Sequence, residues 1–208
     1  MATYKGIQGF TWQKVSSDPS DAVAGQVWYN SSTGKFKIAT QAAAGWASAP
    51  NINTARKMGG GCGTQTAALF FGGDAPGVSA LTETYNGSAW SETGDLNTAR
   101  GNNIGAAGTN TAALGFAGYG SSSVEKVTET FNGSTWTEVA DLNTARQAVG
   151  GCGATNTAAL CVGGQPRPPQ TADVETWNGS AWTEGNNLNT AREELEATGI
   201  TTLAVAFG

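Results

Sequence analysis

Apolar positions in this chain come in short runs rather than along extended faces. Ala67–Phe71 (AALFF), Ala112–Phe116 (AALGF) and Ala158–Val162 (AALCV) are each five residues long and run into Gly72-Gly73, Ala117-Gly118 or Gly163-Gly164. Runs of that length bounded by turn residues are the pattern of strands covered on both faces, so each is predicted to be an interior strand. Each run is followed by a variable loop and then by a stretch of the type TETYNGSAW, with Asn86-Gly87, Asn132-Gly133 and Asn178-Gly179 between arms rich in threonine and aromatics. Asn-Gly in that setting predicts a two-residue hairpin turn with positive φ at both positions. The glycine-rich stretch before each run, such as GGGCGT, is predicted to supply one more strand. The segment 192–197 (REELEA) has helix-forming composition, but it occupies a slot that is strand-like in the other copies, and a strand is expected there.

These elements recur at a fixed period. Asn-Thr-Ala-Arg appears at Asn53 to Arg56, Asn97 to Arg100, Asn143 to Arg146 and Asn189 to Arg192, with offsets of 44, 46 and 46. Trp46, Trp90, Trp136 and Trp182 each stand ten residues before one of those arginines. Three landmarks in register define units of about four short strands starting near 53, 97, 143 and 189. The order Arg56, Phe70-Phe71-Gly72-Gly73, Glu83-Thr84-Tyr85 and Trp90 resembles the kelch repeat, over about residues 46–208. The Trp-Asp signature of WD40 repeats is missing. The chain departs from the kelch pattern in carrying Asn-Gly where longer Asp-Pro turns are common, and in Ala117-Gly118. The resemblance implies an all-β, kelch-like β-propeller of four-stranded blades: three complete units plus a partial one that stops at Gly208. Completion of the ring is expected from strands of the leading segment, from further repeats in a longer array, or from neighbouring subunits, since an open ring exposes sheet edges.

Composition sharpens this picture. Only 32 of 208 residues are Leu, Ile, Val or Phe, whereas there are 30 Gly and seven Trp. A core built from so few aliphatics needs closely apposed backbones with large rings between them, and the repeated Trp and the Tyr85/Phe131/Trp177 position are expected to pack between adjacent blades. The repeated Arg56, Arg100, Arg146 and Arg192 and the repeated Glu83, Glu129 and Glu175 are expected to form structural ion pairs rather than a ligand-binding ring. Cys62, Cys152 and Cys161 are odd in number and not in metal-ligand spacing, so buried free thiols are expected.

Absences narrow the chemistry. There is no histidine, which removes imidazole bases, His-ligated metals and His-dependent catalytic pairs. Charged residues make up 13% of the chain, with 11 scattered basic side chains and a net charge of -5, so nucleic acid is not an expected partner. No apolar run is long enough to predict membrane insertion. Copper sites of kelch-type oxidases need histidine ligands, and no unique carboxylate pair stands out. No catalytic, cofactor-binding or metal-ligating residue is assigned, no cofactor is expected, and the chain is read as a non-enzyme.

Residues 1–45 differ from the repeats and read as a separate module. The string GQVWYNSSTGKFK predicts a hairpin with Trp28 and Tyr29 on one arm and Phe36 on the other. Together with the preceding Ser17-Asp18-Pro19-Ser20 it is similar to the amino-terminal module of bacteriophage tail-fibre and other virion appendage proteins, with the whole chain resembling structural proteins of marine tailed phages. That resemblance implies a virion protein, made in the host cytoplasm, whose hairpin residues Trp28, Tyr29 and Phe36 dock on other tail or head proteins. It also implies a homo-oligomer or symmetric multicopy arrangement. The loops 74–81, 119–124 and 165–171 vary among otherwise similar units, so Asp74, Pro76, Tyr119, Gln165 and Arg167 are the candidate residues for binding a host surface glycan or protein. The competing expectations are a polysaccharide-degrading enzyme and a cellular kelch interaction scaffold.

Overall fold

The computed structural model describes residues 13–20, 26–39, 47–166 and 169–208. Every regular element among them is a β-strand, and the chain divides into two compact units, Met1–Ser48 and Ala49–Gly208.

In the first unit β1 (Gln13–Val15) lies parallel to β2 (Val27–Asn30), and β2 is antiparallel to β3 (Lys35–Ile38) in the register Tyr29↔Phe36. The expected hairpin thus carries a third strand that the sequence pattern did not reveal. These strands form a sheet of their own. The turn closes because Asn30 Oδ1 accepts from the N–H groups of Ser32 and Thr33, both at 3.0 Å. Short polar side chains satisfy turn backbone in this way without a second strand.

The second unit repeats one meander. Strands β4 (Gly60–Thr64), β5 (Ala67–Phe71), β6 (Thr82–Tyr85) and β7 (Trp90–Glu92) form a four-stranded antiparallel sheet in sequence order. The same order holds for β8 (Gly105–Thr109), β9 (Ala112–Phe116), β10 (Thr128–Phe131) and β11 (Trp136–Glu138). A third copy comprises β12 (Gly150–Thr155), β13 (Ala158–Val162), β14 (Val174–Trp177) and β15 (Trp182–Glu184). A two-stranded sheet of β16 (Glu196–Ile200) and β17 (Leu203–Phe207) follows. The 192–197 segment therefore feeds a strand: tertiary pairing overrides its helical propensity.

The hairpins differ from the two-residue type expected from Asn-Gly. Tyr85 pairs with Trp90, leaving a four-residue loop 86–89. Asn86 Oδ1 accepts from the N–H groups of Ser88 and Ala89 at 2.9 Å, and of the pair only Gly87, at φ 92°, has positive φ. Asn132 and Asn178 repeat this arrangement. The asparagine is selected for its side-chain acceptor and only the glycine for its backbone freedom.

Successive sheets are joined through their first strands: β4 lies beside β8, β8 beside β12, and β12 beside β16. The glycine-rich composition of these strands permits that approach, since a Cβ at Gly151 would lie 2.5 Å from the Ala106 nitrogen. Farther out, rings fill the space between sheets. Leu69 and Phe71 of the first sheet meet Ala113, Phe131 and Trp136 of the second. Leu114 and Phe116 of the second meet Ala159, Cys161, Trp177 and Trp182 of the third. Phe71 and Trp136 pack edge-to-face at 4.7 Å, and Phe116 and Trp182 repeat the contact at 4.9 Å. Each such pair adds about 0.5–1.5 kcal/mol beyond the area it buries. The indole Nε1 of Trp136 donates to Thr82 Oγ1 and that of Trp182 to Thr128 Oγ1, both at 3.0 Å, so each tryptophan bonds to the sheet before its own.

Candidate functional site

The expected arginine–glutamate pairs form and anchor the loops. Arg56 pairs with Glu83, Arg100 with Glu129 at 3.3 Å and Arg146 with Glu175 at 2.7 Å, all with side chains essentially buried. Each glutamate also accepts from the backbone N–H of the asparagine that opens its unit, as Glu175 does from Asn143 at 2.8 Å. Burial alone would raise the Glu83 carboxyl, but the Asn53 N–H, then the Arg56 guanidinium and the Thr54 N–H, outweigh it and hold it below the ordinary carboxylate value. Burial lowers the pKa of Arg100, and Glu129 opposes that shift. Arg56 and Arg146 also donate to the carbonyls of Gly72 and Gly163 in the doublets that begin the loops. Arg192 does the same to Gly208 at 3.2 Å. The guanidiniums of Arg56, Arg100 and Arg146 are buried against carboxylate and loop carbonyls, although Arg100 Nε and Nη1 and Arg146 Nε make no hydrogen bond, whereas Arg192 is half-buried.

The doublet turns each chain out of its second strand into a short rung. Lys57 bridges to Asp74, Gly101 to Tyr119 and Gln147 to Gln165, three repeat-equivalent pairs with unlike chemistry. Each loop is then held from the next unit, by Arg100 N–H to the Ser79 carbonyl, Arg146 N–H to the Glu125 carbonyl and Arg192 N–H to the Thr171 carbonyl. A conserved-geometry frame thereby places variable side chains at fixed spacing.

Two cavities open among these rungs. One, of about 350 Å³, is lined by Asp74, Asn102, Tyr119 and Gln147. The other, of about 730 Å³, shares Asp74 and Tyr119 and adds Lys57 and Pro76. Gly101 is what lets the first loop lean over the second rung: a Cβ there would lie 2.3 Å from Asp74 Oδ1. Gln147 Nε2 donates to Gln165 Oε1 at 3.1 Å, while Gln147 Oε1 is buried and accepts no hydrogen bond.

Of the residues singled out from sequence, Asp74, Pro76 and Tyr119 come together at these cavities, and Gln165 reaches them through Gln147. Arg167 lies outside the described residues. Asn102 and Gln147 were not anticipated. A signal existed for Asn102: five positions separate Arg100 from Gly105 but four separate Arg56 from Gly60 and Arg146 from Gly150. The position two after the arginine is left-handed in every unit, at Met58, Asn102, Ala148 and Glu194, and the unit with the extra residue adds a second left-handed position, Asn103 at φ 57°, a conformation asparagine tolerates.

The hairpin residues are arranged differently. Trp28 is 6% exposed, and its Nε1 donates to Asp18 Oδ1 at 3.0 Å. The same carboxylate accepts from Asn30 Nδ2 at 2.8 Å and from Lys37 Nζ. Lys37 first, then Asn30 and Trp28, lower the Asp18 pKa to about 2. Tyr29 and Phe36 pack at 5.0 Å, with Phe36 62% exposed beside exposed Val27 and Ile38.

Cys62, Cys152 and Cys161 are free thiols. Burial raises all three, Cys62 and Cys161 to about 12, so none is a thiolate at neutral pH. Among the described residues no cluster of three or more Cys, Asp or Glu is placed to hold a metal ion. The loop face gathers one carboxylate, two amides, a phenol ring and an exposed lysine around concave space. No family model matches the chain, and no curated protein matches it in sequence.

Proposed function

We propose that this chain is a structural protein of a tailed-phage virion, a tail fibre or similar appendage, whose repeats form a kelch-like β-propeller that presents its loops to the host surface. In this reading the leading module docks on other tail or head proteins through the side of its hairpin that carries half-buried Tyr29 and exposed Phe36, with Trp28 holding that hairpin together. The chain works in several symmetric copies, so weak contacts add up.

The observation that carries the reading is the contrast between frame and rungs. Three sheets share strand order and buried ion pairs, and Trp136 and Trp182 each bond to the sheet before their own, whereas the equivalent rungs Lys57/Asp74, Gly101/Tyr119 and Gln147/Gln165 share only geometry. A rigid scaffold with divergent loops around concave space is how binding surfaces are commonly built. The 44- to 46-residue period and the sheet-to-sheet tryptophan contacts support a propeller over a straight stack.

The test is to raise antibodies against the purified chain and apply them to purified phage particles carrying the corresponding gene. Labelling at the tail or another appendage, together with adsorption of the purified protein to host cells, is the expected result. Particles free of the protein would end the virion reading.

A further inference from the structure

We infer that the outer edge of β17 is a receptor for an extended strand of a partner protein, one that carries a glutamate with an aromatic residue two positions later. This receptor is built by the repeat and is independent of the virion reading. In each complete sheet the second strand is flanked on both sides, by the first strand and by a third that contains Glu-Thr-aromatic. β17 pairs with β16 alone, so its other edge has no strand beside it among the described residues. Such edges add strands readily, because their main-chain donors and acceptors are already set at strand spacing. One face of β17 is open as well: Val205 and Phe207 stand where Leu69 and Phe71 stand in the first sheet, exposed where those are buried. The other face is covered, with Ala206 packed on the cluster of the third sheet.

The three filled edges define what the open one takes. Glu83, Glu129 and Glu175 lie opposite Phe70, Gly115 and Cys161, the fourth residue of each second strand. Tyr85, Phe131 and Trp177 lie opposite Ala68, Ala113 and Ala159, the second residue. β17 presents Ala206 and Ala204 at those two positions, so the alanine that faces each ring is in place. The carboxylate seat is in place too. Each glutamate is held by its unit's arginine and by the backbone N–H of the asparagine three residues before that arginine. Asn189 and Arg192 are the fourth such pair. Arg192 reaches the Gly208 carbonyl at 3.2 Å as Arg56 reaches that of Gly72 at 2.9 Å. Among the described residues, however, no carboxylate pairs with Arg192 or accepts from the Asn189 N–H. Backbone pairing alone would take any strand; the guanidinium selects a carboxylate, since charge-assisted hydrogen bonds are roughly twice as strong as neutral ones. The chain does not supply that strand itself. Residues 1–82 contain no glutamate, and β6, β10 and β14, which carry Glu-Thr-aromatic, are already third strands of their own sheets. A second copy has the same strands in the same places, which leaves a partner of that sequence as the occupant.

The experiment is fluorescence anisotropy of a labelled synthetic peptide with the sequence of residues 126–142, added to the full chain, with amide hydrogen exchange read at β17. That peptide contains the sequences of β10 and β11, and so both the glutamate and the ring. Expected are saturable binding, slower exchange of the β17 amides, and affinity lowered at least about tenfold by Glu129→Gln in the peptide and by Arg192→Ala in the chain. The peptide substitution is read against the unaltered chain and does not depend on a variant folding. Absence of saturable binding, equal binding by the Glu129→Gln peptide or a scrambled one, or undiminished binding by Arg192→Ala overturns the inference. Exchange at β17 as slow as at β5 before any peptide is added also overturns it. In a monomeric sample that result assigns the edge to the chain's own polypeptide, and in a self-associating one to a second copy.

Discussion

Asp18 shows how a half-exposed side chain can hold a small sheet. It joins β2 and β3 by accepting from Trp28, Asn30 and Lys37, and these donors favour its charged form. A depressed pKa stabilises the fold above the ordinary value of 3.8 and loses that contribution as pH falls through about 2. The Trp28 indole N–H resonance should therefore titrate with a midpoint near 2; a midpoint at 3.8 would show that the three donors do not hold the carboxylate. Buried charges behave differently. Glu175→Ala leaves Arg146 charged and unpaired in the interior, and a loss of about 3–5 kcal/mol is expected in urea denaturation. Lys126→Ala breaks a pair 3.5 Å long whose side chains are 56% and 31% exposed, and should cost less than about 1 kcal/mol. Arg–Glu pairing was legible from the recurrence of both residues. Asp18 was not, because its three partners are 10, 12 and 19 positions away and no pattern links them.

At the scale of strands, identical sequence positions take unlike environments. Phe71 and Phe207 both end the second strand of a unit and precede a glycine, yet Phe71 is 0% exposed and Phe207 53%. Trp136 of the next sheet covers Phe71, whereas β17 carries Leu203 at 78% and Val205 at 61% on an open face. Phe71→Ala should destabilise by about 3–5 kcal/mol in chemical denaturation. Phe207→Ala should change stability by less than about 1 kcal/mol. Equal losses at the two positions would mean that the β17 face is covered as the others are. Strand existence was legible from apolar runs and Asn-Gly pairs, because both depend on local backbone preference. The four-residue hairpin was not, since asparagine serves equally as a left-handed residue and as a side-chain acceptor, and only the observed φ separates the two.

Across the second unit, stability is shared through interfaces between sheets. Cys161 lies in the cluster formed by the second and third sheets, and Cys152 in the one formed by the third sheet and Leu195. Alkylation of either thiol in native protein requires those interfaces to part. Both should react with iodoacetamide at the rate of global unfolding, and half-buried Cys62 sooner. Rapid modification of Cys161 below the unfolding transition would show that the sheets separate independently. The same interfaces set the candidate site. Asp74 and Tyr119 belong to adjacent units, and each was legible singly as a variable loop residue.

The sequence by itself determined the all-β class, the make-up of each repeated sheet from about four short strands, and the pairing of Arg56, Arg100 and Arg146 with Glu83, Glu129 and Glu175. These follow from period, turn chemistry and charge, which neighbouring residues along the chain largely decide. Only the tertiary structure decided that Asp74, Asn102, Tyr119 and Gln147 line one cavity and that Gln147 keeps a polar atom without a partner. Those facts depend on how closely one sheet's glycine-rich strand approaches the next and on which side chain at position 101 is absent, distances between units that no single repeat encodes.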